Sequence, residues 1–342
     1  MARNLKPITG CTTLNRGLNS LSPGWITQCT DTLTGTTNPS INSILDNLDQ
    51  YGQAKGMITV SHSCGSDFVC DGVADQVEIQ EAIAYANTTK LPVFIINDGN
   101  YNMTAGLTIT AVSSIVVDFG FSFFYGTGAI PFLVESTTSS INVFRNARIH
   151  NFSDAIVAEG AASQYEWFEY TNCTNSGLIS RAGSFNYFKD FYMNPGLTFY
   201  GIYAINCHNN TYDNFKIYST ARNSILFQNS ANSHKVINSY LSNTQTTNRV
   251  IETDGTANTF SNNIIATGIQ TAFAPIYSIG FATIINSNAI LHGVVTPTAC
   301  VELAGSGAGS SITGNSLSGF TSGSFQQVAG ATANTGVAGN SV

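Results

Sequence analysis

Charge is scarce in this chain: Asp, Glu, Lys and Arg together make up 10% of its 342 residues. Soluble surfaces usually carry about 25–35%, so most of this exterior must be built from Asn, Ser, Thr, Gln and Tyr. Such a surface suits carbohydrate, or tight packing into an assembly. Net charge is −7 with no Lys/Arg cluster, which argues against nucleic acid and anionic membrane as partners. No stretch approaches the roughly 18 apolar residues of a membrane span. The opening MARNLKPITGCTTLNRG has no apolar run of signal-peptide length, so neither membrane insertion nor signal-peptide secretion is expected. Seven cysteines, an odd number, give no disulfide framework. Cys64 could pair with Cys70 and Cys11 with Cys29, while Cys173 and Cys300 read as small buried hydrophobes. Phosphate-binding glycine loops, nucleophile elbows and Cys-x-x-Cys pairs are missing. His62, His150, His208, His234 and His292 are scattered without metal-ligand spacing. No metal and no cofactor is expected.

What is present is a period. Asp190, Asn214, Asn238, Asn262 and Asn286 stand 24 positions apart; two before each are Phe188, Tyr212, Val236, Phe260 and Ile284, and three after are Met193, Ile217, Leu241, Ile265 and Ala289. One shorter unit upstream places Phe144 and Phe168 over Phe188, and Ile149 and Cys173 over Met193. A third apolar column, Ile156, Ile179, Ile202, Leu226 and Val250, advances by 23 or 24. Self-similarity at such a period marks a repeat architecture, in which a unit too small to bury its own apolar face stacks on copies of itself. The repeat is rich in Asn, Ser, Thr, Gly, Phe, Ile and Tyr in short alternating runs and has no helix-forming face. The unit is therefore a coil of strands, with apolar columns inward and like residues stacked about 4.8 Å apart. Asn tolerates the left-handed backbone of a tight corner, and its amide can hydrogen-bond along the axis. The five-residue polar column thus reads as a structural ladder.

Residues 1–56 do not share the period. They hold Pro23, Trp25 and one helical signal, Asn38-Pro39 followed by Ile41, Ile44, Leu45 and Leu48. That stripe either docks on its own domain or joins several copies around an axis. A second helix is expected from about 73 to 87, with Val73, Val77, Ile79, Ile83 and Ala84 apolar, followed by a strand from Pro92 to Ile96 and a turn at Asp98-Gly99-Asn100.

In this stretch the chain resembles the pectate-lyase-like β-helix superfamily, on Asp71-Gly72-Val73-Ala74-Asp75, Ile79-Gln80-Glu81-Ala82-Ile83 and Asp98-Gly99-Asn100-Tyr101. The local match covers about 40 residues, and the period supports it over residues 142–290. With that resemblance the expected fold class is all-β: a single-stranded right-handed parallel β-helix over 57–342, with the helix at about 73–87 capping its open end. Regular coils are expected over about 105–310 and a loose C-terminal cap over 311–342. Residues 1–56 are expected to anchor and oligomerise the chain.

The resemblance implies carbohydrate as the default ligand but not catalysis. Glycoside hydrolysis needs two carboxylates about 5–9.5 Å apart. Of the few acidic residues in the repeats, Glu169 and Asp213 fall with Arg145 and Lys189 in one column of alternating charge, which reads as a structural charge ladder. Asp190 is the first corner residue. Glu252 and Asp254, two apart beside Arg249, remain as an acid/base candidate, against the plainer reading of a solvated turn at Asp254-Gly255. The polygalacturonase branch carries Asn-Thr-Asp, Asp-Asp, Gly-His-Gly and Arg-Ile-Lys motifs; only Leu291-His292-Gly293 is faintly similar here, and no family catalytic residue carries over. Aromatic residues concentrate between 165 and 240, and sugar rings stack on outward aromatic faces. Trp167, Tyr187 and Tyr203, each one position off an inward column, are the carbohydrate-binding candidates.

The resemblance points to a virion protein: a structural or host-attachment component such as a tailspike, fibre or surface decoration. It implies a homotrimer, other virion proteins as partners of residues 1–56, and a host surface glycan as ligand. Two other classes stay open, a polysaccharide lyase or hydrolase and a cell-surface or filament-forming protein.

Overall fold

The computed structural model describes residues 56–63, 65–194, 200–220, 222–243, 248–267, 273–292, 299–304, 309–318, 325–327, 336–338 and 340. The helical stripe at 38–48, the anchoring segment and Cys11, Cys29 and Cys64 lie outside them. Cys70, Cys173 and Cys300 are buried free thiols.

Every strand pairing among the described residues is parallel, and together they build a β-helix of two sheets, eighteen strands in the larger and ten in the smaller. Each coil crosses the larger sheet twice, turns a loop, crosses the smaller sheet once and returns. In the coil that starts at Tyr187, the strand Tyr187–Met193 bends at Asp190, and Ile202–Ile205 is the return across the smaller sheet. The Cα partners Val143, Gln164, Tyr187, Thr211, Lys235, Thr259, Ile284 and Ser311 follow one another at steps of 21, 23, 24, 24, 24, 25 and 27 residues. Three coils keep the 24-residue period, and the others absorb their extra or missing residues in the turns.

Those unequal steps move several columns from where the period alone places them. Phe144 lies beside Tyr165, not Phe168, and Tyr165 beside Phe188. Ile149 is followed by Tyr170 and Met193, leaving Cys173 off the column. On the smaller sheet the inward column is Ile156, Leu178, Ile202, Ile225 and Ile251, so Ile179, Leu226 and Val250 are one place out of phase. The 25-residue step after Thr259 puts Ile285 and Ile290 inside in place of Ile284 and Ala289. A one-residue slip reverses the facing of a strand side chain, which is why Ile284 is 38% exposed while Ile285 is buried.

Two corners repeat with a left-handed backbone. One runs through Asn146, Trp167, Asp190, Asn214, Asn238, Asn262 and Ser287, all at φ between 54° and 65°. The 25-residue step makes Ser287 rather than Asn286 its last member; Asn286 lies instead opposite Ser261 within a strand. Its side chains face outward, with Asn214 Nδ2 donating to Asp190 Oδ1 at 2.6 Å, but Asn238 Nδ2 donating to Asp213 Oδ1 at 2.9 Å.

Continuous axial hydrogen bonding belongs to buried neighbours of these corners. Asn142, Ser163, Asn186, Asn210, His234 and Asn258 each accept, through a side-chain atom, a main-chain N–H from the coil before. A second series, Ser239, Asn263, Asn288, Asn315 and Asn340, does the same from Phe215 onward. Each buried amide satisfies a turn N–H that would otherwise cost about 1–3 kcal/mol.

The helix α1, Gln76–Thr89, packs Ile79, Ala82, Ile83 and Ala86 onto the first strands. It starts later than the apolar pattern suggests because Ala74 is left-handed at φ 57°. Val73 and Val77 are consequently exposed. Asp75 fixes that start: its buried carboxylate accepts Gly72 N–H at 2.8 Å and Asn102 N–H at 2.7 Å, tying the Asp-Gly-x-x-Asp turn to the next coil. Left-handed Lys90 at φ 59° ends the helix.

Candidate carbohydrate-binding face

Outward residues of the smaller sheet form one column in register: Val157, Ile179, Tyr203, Leu226, Glu252, Tyr277 and Glu302. Its first two members are aliphatic. From Tyr203 onward aromatic and acidic side chains join Leu226, and the turns before the strands at Ile225 and Ile251 add Arg222, Asn223, Asn248 and Arg249.

At the first of these coils, Tyr200 and Tyr203 stack with ring centroids 5.2 Å apart, and Arg222 Nη1 donates to the Tyr200 hydroxyl at 3.2 Å. Burial, then the neighbouring Tyr200 and Asp254, push the Tyr203 phenol above its ordinary range. Further along, Asn223 Nδ2 donates to Glu252 Oε2 at 3.1 Å. The Arg249 guanidinium lies 3.4 Å from the Tyr277 ring centroid and 5.4 Å from that of Phe273, and its Nη2 donates to Glu302 Oε2 at 3.1 Å. Stacking and pairing hold that planar cation in one orientation. Asn248, Arg249, Glu252 and Phe273 line an open pocket there. An exposed ring beside fixed hydrogen-bonding groups of both signs suits a polyhydroxylated ligand.

Tyr203, Glu252 and Asp254 share this face, and the two carboxylates have different partners. Asp254 Oδ2 accepts the Asn229 N–H at 3.2 Å, as a turn residue does, whereas Glu252 faces the pocket. The acidic neighbour of Glu252 along the column is Glu302, two coils on with Tyr277 between, hence about 9–10 Å apart at strand spacing. Glu252, Tyr277 and Glu302 are spaced by 25, the one sequence signal that links them. A strict 24-residue frame hides it.

Trp167 and Tyr187 lie on the larger sheet. Trp167 occupies a left-handed corner at φ 57°, meets left-handed Phe121 edge-on at 4.5 Å, and sits under Arg148, which also covers Phe123. The Tyr187 hydroxyl donates to Asp213 Oδ2 at 2.9 Å. The charged column beside them runs Asp118, Arg145, Glu166, Lys189, Asp213. Glu166 takes the place assigned to Glu169, because the coil from Val143 is 21 residues long. Glu169 lies instead opposite Arg148, with Nε to Oε2 at 3.4 Å. Arg145 pairs with Asp118 at 2.8 Å.

Cys70, Asp75 and Glu78 bring metal-ligating atoms within 4.8 Å of one another. The Asp75 carboxylate is already engaged by two main-chain N–H groups. Burial and the surrounding carboxylates push the Cys70 thiol far up.

No protein-family model and no curated protein matches the chain. Solved structures do match. The A-module of mannuronan C-5 epimerase AlgE6 from Azotobacter vinelandii aligns with TM-score 0.56 and 12% identity over 80% of this chain and 97% of its own. ORF18 of Geobacillus virus E2 aligns with TM-score 0.58 and 16% identity over 85% of this chain and 62% of its own. A mutant tailspike protein of E. coli bacteriophage HK620, in complex with a pentasaccharide, aligns with TM-score 0.56 and 11% identity over 85% of this chain and 67% of its own. The chain thus spans about two thirds of the length of these two viral proteins. With in-register parallel coils on one side and these alignments on the other, the chain has the pectate-lyase-like parallel β-helix fold.

Proposed function

We propose that the chain is a structural and host-attachment component of a virus particle, a tailspike, fibre or surface decoration, that presents its smaller sheet to a host surface glycan. The observation that carries this reading is the Tyr200–Tyr203–Arg222 and Arg249–Tyr277–Glu302 arrangement on one outward face. The fold shared with a tailspike and a viral open reading frame supports the virion setting. Three copies would stand side by side, and residues 1–56 would join them to the particle. Binding of the purified chain to a panel of bacterial surface polysaccharides, by calorimetry, tests the reading. Arg249→Ala and Tyr277→Ala should each weaken the binding by at least about tenfold, as loss of an Arg or Tyr anchor does. Absence of any binding across the panel would remove it.

A second reading, polysaccharide cleavage, is favoured by one observation: Glu252 and Glu302 flank Tyr277 near the wider of the two carboxylate spacings used for glycoside hydrolysis, about 6.5–9.5 Å. New reducing ends or unsaturated uronate absorbance on incubation, lost in both Glu252→Gln and Glu302→Gln, would establish it over attachment alone.

A further inference from the structure

The larger sheet changes character along the axis. Between Val116 and Lys216 its outer surface carries Asp118, Arg145, Glu166, Lys189 and Asp213 in one column and Arg148, Glu169 and Lys216 in another. Beyond Lys235 it carries none among the described residues. From residue 255 to 342 the sequence contains a single charged side chain, Glu302, and that one is on the smaller sheet with Arg249. The first column now reads Ile237, Ser261, Asn286, Thr313 and the second Tyr240, Ile264, Ala289, Ser316, with Thr259, Ile284, Ser311 and Ala266, Leu291, Ser318 beside them. Ile264 is 43% exposed, Ile284 38% and Leu291 39%.

We propose that this uncharged end of the larger sheet is the surface through which copies of the chain associate. A charged partner would lose hydration there and find no counter-charge, so the occupant must be equally neutral. The chain itself supplies such a surface. A rotation axis parallel to the solenoid sets these columns against their equivalents in a second copy, with a common repeat of about 4.8 Å. Ser, Thr and Ala between the three apolar side chains allow close approach, and those side chains give the contact its apolar centre. This deepens the self-association of the reading above, naming its surface, and it is independent of what the smaller sheet binds.

The test is the oligomeric state of the full chain by sedimentation equilibrium, with Ile264→Glu and Leu291→Glu compared against Tyr192→Glu on the charged half of the same sheet. An oligomer of the unaltered chain is expected, with at least a tenfold weaker association in the first two variants and none in the third; circular dichroism checks that each remains folded. A Leu291→Cys variant should also cross-link between copies with a short bismaleimide, and Tyr192→Cys should not. A monomeric unaltered chain would sink both the inference and the self-association. An oligomer that survives both substitutions without the Leu291→Cys cross-link would sink the inference alone and move the contact elsewhere.

Discussion

The coils from Val116 to Thr220 and those from Lys235 to Ser318 share one backbone path and differ in what fills and coats it. In the first set the interior is aromatic: Phe144, Tyr165, Phe188 and Tyr212 stack at 5.4, 4.8 and 5.2 Å, and Phe168, Phe191 and Phe215 at 5.2 and 4.6 Å. In the second set the column that continues Phe215 turns into Ser239, Asn263, Asn288 and Asn315, buried and hydrogen-bonded along the axis. Outside, alternating charge gives way to an uncharged surface. That one column is therefore held by ring stacking at one end and by an amide chain at the other. What both halves keep is the left-handed corner and the buried acceptor for each turn N–H, which are the backbone's own requirements.

This contrast can be broken at either end. Phe191→Ala, in the middle of a stacked trio, should cost about 3–5 kcal/mol because a ring-sized cavity cannot close between neighbouring coils; denaturant unfolding measures it. Asn263→Ala should cost less, about 1–3 kcal/mol, for the Ser239 N–H and the Asn288 chain left without their partner. If Asn263→Ala proved the costlier, the amide chain would be the stronger of the two devices.

His234 sharpens the comparison, since it stands where the aromatic and amide halves meet and replaces Asn in the first buried series. Its Nδ1 accepts the Asn210 N–H at 3.2 Å, which requires the neutral ring, and burial pushes its pKa down to about 3. The unfolded chain binds that proton near pH 6.5, so His234 contributes stability above this pH, and the contribution falls as pH drops toward 3. The slope should approach about 1.4 kcal/mol per pH unit. His234→Asn should flatten it in melts between pH 4 and 7. Glu135 acts with the opposite sign: burial raises its pKa against the hydrogen bonds from Tyr165, Asn142 and Ser163. Its contribution is therefore present at low pH and lost as pH rises, and a Glu135→Gln background separates the two. The smallest effect belongs to the outer charge column. Arg145, 43% exposed, pairs with Asp118 at 2.8 Å, and Arg145→Ala should cost no more than about 1 kcal/mol, less in high salt.

Much of the fold is legible in the sequence because a parallel coil makes spatial neighbours out of residues one period apart, so Asp190, Asn214, Asn238 and Asn262 read as one corner from their spacing. The period could not show where a coil gains or loses a residue. Three residues missing between Val143 and Gln164 substitute Glu166 for Glu169, and one extra after Thr259 substitutes Ser287 for Asn286. The axial amide chains also lay in plain view as Asn186, Asn210 and Asn258, but an inward Asn and an outward Asn look alike until the facing of the strand is known. On the smaller sheet, Tyr203 and Glu252 were legible as single candidates; Arg249, Tyr277 and Glu302 became partners only when three coils were superposed.

By itself the sequence determined the architecture, since a 24-residue period of apolar and amide positions has few ways to bury its face other than by stacking coils of strands. Only the tertiary structure decided which face each side chain occupies. Facing alternates every residue along a strand, while turns absorb insertions without changing the stack, so a single added residue leaves the fold intact and moves a whole set of side chains from core to surface.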